Sequence, residues 1–257
     1  MRIVAITQAR TNSTRLPKKV LKEVNGENLL TLHVKRILKS KRINKLVVAT
    51  TVNPDDGVIE VEINKLGIEA FKGSESDVLD RFYQAIQRHG EPDFIVRLTA
   101  DCPLIDAELI DKVIDYAIKN NLDYCSNTLE VSYPDGQDIE VMTYASLKRA
   151  WREAKLDSER EHVTPYIWKN STFKKGRLFN SDNFSEGYSF GHLRMTVDEP
   201  KDLEVVKHLV SKLGIDGTWL DYARCLADSP DVRRINEGIV RNEGYSKSIN
   251  KENEHTI

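Results

Sequence analysis

The sequence predicts an α/β fold in three layers, a mostly parallel sheet carrying helices on both faces. Three observations predict it. Short runs rich in β-branched residues recur through the first half of the chain, as at 2–8, 45–52 and 94–98. Segments whose apolar residues fall three to four apart lie between them. The two kinds alternate at the spacing that a strand–helix–strand crossover needs.

Taken in order, residues 2–8 are the first strand and 45–52 (KLVVATTV) the second. A short third is expected at 68–72, a fourth at 94–98 (FIVRL) and a fifth at 123–126. Leu30, Val34, Ile37 and Leu38 form one helical stripe between them. Val78, Phe82, Ala85 and Ile86 form another, and Ile110, Val113, Ile114, Ala117 and Ile118 a third. Each has the period of a helix that covers a sheet. From about residue 130 the rhythm changes. Tyr133-Pro134-Asp135-Gly136 reads as a turn. An alternating strand follows at 138–144, with Ile139 and Val141 on one face and Asp138, Glu140 and Met142 on the other. Helices are expected at about 145–155 and 160–170, and strands near 173–180 and 192–197. A helix striped by Leu203, Val206, Val210 and Leu213 closes the series. Residues 1–227 read as one domain and 228–257 as a polar extension, whose last part, 242–257, is rich in Lys, Asn, Glu and Ser and is expected to fray.

At 257 residues the chain suits one large domain or two small ones. Its 40% hydrophobic and 30% charged residues, with 13 Gly and 8 Pro, exclude collagen-like, low-complexity and wholly disordered chains. Thirty-eight Lys and Arg against 40 Asp and Glu give a net charge of −2, which leaves no general attraction for nucleic acid or anionic membrane. The apolar runs are about four residues long, whereas a spanning helix needs about 20. The N-terminus lacks a signal-peptide pattern. Cys102, Cys125 and Cys225 form no C-x-x-C pair, and no two His have zincin spacing. A disulfide framework or structural zinc is therefore not expected, and the expectation is a cytoplasmic protein with reduced thiols.

The first strand runs into Gln8-Ala9-Arg10-Thr11-Asn12-Ser13-Thr14-Arg15-Leu16-Pro17-Lys18-Lys19-Val20-Leu21. Arg2, Arg10, Arg15, Lys18, Lys19 and Lys22 precede the first acid, Glu23, which concentrates positive charge in a chain of net −2. In an open α/β sheet the ligand crevice lies at the carboxyl ends of the strands, where this loop sits. Arg and Lys there suit a triphosphate, with Ser13, Thr14 and backbone N–H groups as further donors. A solvated basic loop would show the same charge. Neither the P-loop nor the G-x-G-x-x-G pattern is present.

Three carboxylates follow later strands. Asp106 reads as the N-cap of the helix after the fourth strand, with Glu108 in its first turn. Asp101 precedes Cys102-Pro103, where a helix cannot start at once, so its carboxylate is free to face the crevice and suits Mg²⁺ with phosphate oxygens. Asp198 or Glu199, in Val197-Asp198-Glu199-Pro200-Lys201-Asp202-Leu203, would cap the next helix, and an Asp198 that caps through one oxygen keeps the other free.

The loop at 10–19 resembles the R-x-x-S-x-R-L-P-x-K signature of cytidylyltransferases that make CMP-activated acidic sugars, the CMP-Kdo and CMP-acylneuraminate synthetases, and most of all their spore coat polysaccharide biosynthesis protein F group. That family usually has Gly where this chain has Lys18. The resemblance implies a fold of the nucleotide-diphospho-sugar transferase type with a dimerising insertion, and hence a homodimer, for which the alternating strand at 138–144 would offer an edge for pairing. It implies transfer of CMP from CTP to an acidic or phosphorylated sugar with release of pyrophosphate. Asp101 and Asp198 would hold Mg²⁺, and Arg10, Arg15 and Lys19 the β- and γ-phosphates. Ala9, Ser13, Gly73, Arg81 and Thr99 would also meet the nucleotide, although Arg81 would equally pair with Asp77 on one helix face. Asp138, Glu140 and His162 are either acceptor-pocket groups or ordinary surface polar groups. A glycosyltransferase of the same fold lacks support, because Asp101-Cys102-Pro103 is a poor match to Asp-x-Asp. A silent nucleotide-binding protein would have shed some of these charged residues.

Overall fold

Residues 1–255 are described here from a computed structural model. The elements run β1 (Ile3–Gln8), β2 (Glu23–Val24), β3 (Glu27–Asn28), α1 (Leu29–Ile37), β4 (Lys45–Thr51), α2 (Gly57–Asn64), β5 (Glu69–Gly73), α3 (Val78–Gln87), β6 (Phe94–Thr99) and α4 (Ala107–Lys119). They continue as β7 (Tyr124–Ser126), β8 (Glu140–Thr143), α5 (Tyr144–Glu153), α6 (Asp157–His162), α7 (Pro165–Lys169), β9 (Ser181–Asn183), α8 (Pro200–Leu213), α9 (Trp219–Ala227), α10 (Pro230–Arg233) and α11 (Glu243–His255).

The central strands β1 and β4 are buried along nearly their whole length, which demands cover on both faces, and the helices supply it. Seven strands form one sheet in the order β5-β4-β1-β6-β8-β7-β9. β1 pairs in parallel with β4 and β6, with Ile6 opposite both Val47 and Arg97. β8 runs antiparallel between β6 and β7. Ile3 and Ala5 of β1, with Leu46 and Val48 of β4, point into a core shared with α1, α4, α8 and α9. Their neighbours Val4, Ile6, Val47 and Ala49 point the other way, into a core with Leu79 and Phe82 of α3, Leu147 of α5 and Ile167 of α7. The period of two along each strand thus feeds both outer layers.

Several elements differ from expectation. The helix expected at 160–170 is two, because Val163 takes φ 72 and ψ −56. The Thr164 N–H donates to the His162 carbonyl at 2.9 Å, which closes a γ-turn before Pro165 opens α7. The strand expected near 173–180 falls later, at β9, since a 3₁₀ turn at Thr172–Lys174 ends at left-handed Lys175, φ 63. The segment 192–197 is no strand: its backbone bonds go to Asp135 and to the Asp101 carbonyl, with a single bridge between Asp135 and Arg194. The strand within 138–144 is interior, so both its edges are spent and it offers none for dimer pairing. Residues 242–257 were expected to fray, yet Glu243–His255 is a helix docked on α6; residues 256–257 lie outside the described range. The β2–β3 hairpin was not anticipated, although Asn25 and Gly26, φ 52 and 79, are its two-residue turn. Among the described residues no helix is long and apolar enough to cross a membrane.

Candidate active site

The loop after β1 is held in place before it can hold anything. Asp56, buried below it, accepts from the Thr11 N–H and Oγ1, both at 2.7 Å, and from Thr51 Oγ1. Burial alone would raise the Asp56 pKa, but these donors outweigh it and hold it below the ordinary carboxylate value. The Thr11 carbonyl then accepts from Ser13 and Lys18, both 3.0 Å, folding the loop back on itself. Lys18 sits at φ 55, so the position where the family favours Gly is left-handed here too.

Folded this way, the loop delivers Lys19 between the two predicted carboxylates. Its Nζ lies 3.0 Å from Asp101 Oδ2 and 2.8 Å from Asp198 Oδ1. Burial works against the ammonium, but Asp101 and Asp198 prevail and its pKa is raised. The Asp101 carboxyl is held well below its usual range: burial would raise it, and Lys19 is the main group that lowers it. Arg15 reaches Asp198 Oδ1 at 3.0 Å and Glu243 Oε2 at 3.0 Å.

The ambiguity at Asp198 is resolved by Asp202, which is fully buried. Its carboxylate accepts from the N–H groups of Asp198 and Glu199 at 2.9 and 3.0 Å. Asp202 therefore serves the start of α8, and the Asp198 side chain is left to Lys19, Arg15 and Arg194. Asp106 caps α4, accepting from Leu109 N–H at 3.0 Å. Arg194 is a hub that sequence reasoning missed: it binds Asp135 at 2.5 Å, Asp198 at 2.9 Å and Asp202 at 2.8 Å.

These groups open onto a cavity of about 420 Å³ at the carboxyl ends of β1 and β6. Arg15, Thr99, Asp101, Asp138, Glu140, His162 and Asp198 all line it, and Lys19 touches two of them. Asp138 pairs with Arg241 at 2.6 Å, although burial pushes its pKa up. Glu140 accepts from Tyr124 OH and Thr164 Oγ1, each 2.6 Å, and pairs with Arg97. His162 lies 3.1 Å from Ser248 Oγ, and burial lowers its pKa.

Ala9, Arg10, Ser13, Gly73 and Arg81 do not line this cavity. The Ser13 hydroxyl accepts from the Leu16 N–H at 3.3 Å. Arg81 is buried and binds the carbonyls of Ser74 and Glu75, not Asp77, which is taken by Arg160 at 2.6 Å. A Cβ at Gly73 would come within 2.8 Å of the Arg81 stem, so Gly lets the strand end close over it. Burial, then the charge of nearby Arg10, lowers the Arg81 pKa to about 10. Arg97, Asp135, Trp168 and Tyr245 also line the cavity and were not foreseen; nothing in local spacing marks them.

Two carboxylates converging on one cationic group are a hard-oxygen pair that fits Mg²⁺. Among the described residues no three or more His, Cys, Asp or Glu are grouped to hold a metal.

The chain is 38% identical over 250 residues to protein MJ1063 of Methanocaldococcus jannaschii, covering 95% of this chain and 98% of that one. It is 35% identical over 217 residues to the spore coat polysaccharide biosynthesis protein SpsF of Bacillus subtilis, covering 82% and 88%. The structure of a cytidylyltransferase from Leptospira borgpetersenii superposes with a TM-score of 0.85 at 30% identity, covering 94% of this chain and all of that one. Residues 4–226 match the cytidylyltransferase family, and the chain belongs to it.

Proposed function

We propose that this protein transfers CMP from CTP to an acidic or phosphorylated sugar, releasing pyrophosphate, in the synthesis of a surface polysaccharide or glycan. The observation that carries this reading is the convergence of Lys19 and Arg15 on Asp101 and Asp198 at the mouth of the sheet. The name of the Bacillus relative supports the polysaccharide setting.

An acceptor oxygen, a sugar hydroxyl or a sugar-phosphate oxygen, forms a bond to the α-phosphorus of CTP, the bond to the bridging oxygen of the β-phosphate breaks and pyrophosphate leaves; a hydroxyl acceptor also releases its proton. The reaction needs alignment and charge neutralisation more than covalent help. Arg15 and Lys19 bind the phosphates and stabilise the charge that grows on the leaving group. Asp101 and Asp198 hold Mg²⁺, which when bound neutralises phosphate oxygens. Asp56 keeps the loop that carries both cations in register. Arg10, exposed beside Arg81 on the β4–β5 side, extends the positive field toward the nucleotide.

Pyrophosphate release from each of the four nucleoside triphosphates, with N-acetylneuraminate, Kdo and a sugar 1-phosphate as acceptors, tests the reading. CTP with at least one of these should support turnover, and EDTA should abolish it. Release that needs no acceptor, or transfer of sugar from a CMP-sugar to a second molecule, would overturn it. The homodimer implied by the family belongs to the same reading, and light scattering at the monomer mass would exclude it.

A further inference from the structure

The residues that mark the phosphates lie at the ends of β1 and β6, in the middle of the sheet. Gly73 and Arg81 lie to one side, beyond β4, and do not touch the cavity. The cavity extends to the other side, where Arg97 of β6, Glu140 of β8 and Tyr124 of β7 line it. Resting on the function proposed above, that side is where the acceptor enters. Its outer wall comes from an unexpected part of the chain. Asn242, Glu243, Gly244 and Tyr245 line it, all beyond residue 226, where the family match ends.

This wall is built rather than draped. Arg241 binds Asp138 at 2.6 Å and the Tyr133 carbonyl at 3.2 Å. Glu252 accepts from the Ser158 N–H at 2.5 Å and its hydroxyl at 2.9 Å, fixing α11 to the first turn of α6. Ser248 bonds to His162 and Glu161 at 3.1 and 2.8 Å. Between these anchors the Tyr245 ring stands edge-on to His162, centroids 5.1 Å apart, and to Trp168, 5.9 Å. All three side chains line the cavity. Lys174, also on the lining, makes no ion pair among the described residues.

We propose that Tyr245, carried by α11 and backed by Trp168 and His162, is a specificity-determining residue that seats the sugar ring of the acceptor. An aromatic wall with a few polar groups suits a ligand that has both an apolar ring face and hydroxyls. Single substitution is preferable to truncation, because losing Glu252 would release α6. Tyr245 is half-buried, so Tyr245→Ala should fold.

The test measures steady-state kinetics of CMP transfer from CTP to N-acetylneuraminate, Kdo and a sugar 1-phosphate, with CTP affinity by calorimetry and the thermal midpoint alongside. For each acceptor that wild type uses, Tyr245→Ala should raise the acceptor KM about tenfold or more while the CTP KM stays within about twofold. Tyr245→Phe should restore most of the loss, since the ring does the seating. An unchanged acceptor KM in Tyr245→Ala overturns the inference and leaves the cytidylyltransferase reading intact. Equal loss of CTP and acceptor binding with a lowered midpoint also overturns it, showing α11 to be scaffold. A wild type that binds CTP but transfers CMP to none of the three overturns the acidic-sugar reading and this inference together.

Discussion

At the scale of single residues, Asp198 and Asp202 divide two jobs that look alike in sequence. Asp198→Asn would remove one of the two carboxylates proposed to hold Mg²⁺ without touching the start of α8, because Asp202 serves those N–H groups. Turnover should fall about a hundredfold or more, as metal stabilisation of phosphate charge is worth several kcal/mol, with little change in thermal midpoint. Asp202→Ala should do the reverse first: it takes one of the three carboxylates from Arg194 and leaves the Asp198 and Glu199 N–H groups without their acceptor, at a cost of about 1–3 kcal/mol. A stability loss in Asp198→Asn larger than in Asp202→Ala would show the assignment to be inverted. Lys18 is a second case. Its left-handed φ of 55 strains any side chain by about 1 kcal/mol. Lys18→Gly should therefore melt at or above the wild-type temperature, whereas Lys18→Val should melt lower. A midpoint clearly depressed in Lys18→Gly would mean that the Lys18 side chain itself supports the loop.

At the scale of elements, α1 props the loop that carries Asp101. His33 Nδ1–H donates to the Cys102 carbonyl at 2.8 Å, and Nε2 accepts from Thr7 Oγ1 at 2.8 Å. Burial lowers the His33 pKa to about 4, against a modest rise from the Cys102 carbonyl. The unfolded chain takes up a proton below about pH 6.5 while the folded chain resists until about pH 4. Stability is thus full above pH 6.5 and falls as pH drops through that window, by about 3 kcal/mol in all. Asp135, raised by burial, works in the opposite sense. The measurement is therefore the difference between wild type and His33→Gln in urea unfolding at pH 7 and 4.5. Equal pH dependence in the two proteins would show that His33 is charged in the fold. Elements with a strong period were legible in advance: the stripes on α1, α3, α4 and α8 and the runs of β1, β4 and β6. α2 was not, since Val58, Ile59, Val61 and Ile63 carry the β-branched residues of a strand. Nor was α11, which docks through Ser248, Glu252 and one tyrosine ring and has no apolar stripe to announce it. The loop cations and Asp101 could be read because they are local in sequence. Asp135 and Tyr245 could not, because their partners lie far along the chain, and Arg194 could not, because it stands in a segment with no regular period, although Asp198 and Asp202 are close in sequence.

At the scale of the whole molecule, the site is a charge balance assembled from Arg15, Lys19, Asp101, Asp198 and Glu243, which only the complete fold brings together. The balance has a thermodynamic consequence. A divalent cation arriving alone must compete with Lys19, Arg15 and Arg194 for Asp101 and Asp198. A triphosphate arriving alone meets the same carboxylates and Glu243 on Arg15. On the proposed function, each ligand arriving with the other would remove its obstacle: the phosphates would take the cations and the metal the carboxylates. Their affinities should therefore be coupled, and by linkage equally in both directions. Mg²⁺ alone should scarcely move the thermal midpoint. CTP with Mg²⁺ at about a hundred times its dissociation constant should stabilise the fold by about 2.7 kcal/mol, or about 5–10 °C for a chain of this size. CTP with EDTA should give a much smaller shift. Asp198→Asn should lose the coupling, so that its shift with CTP is the same with and without the metal. A wild type shifted equally by CTP in Mg²⁺ and in EDTA would show that Asp101 and Asp198 serve as partners for Lys19 and not as metal ligands.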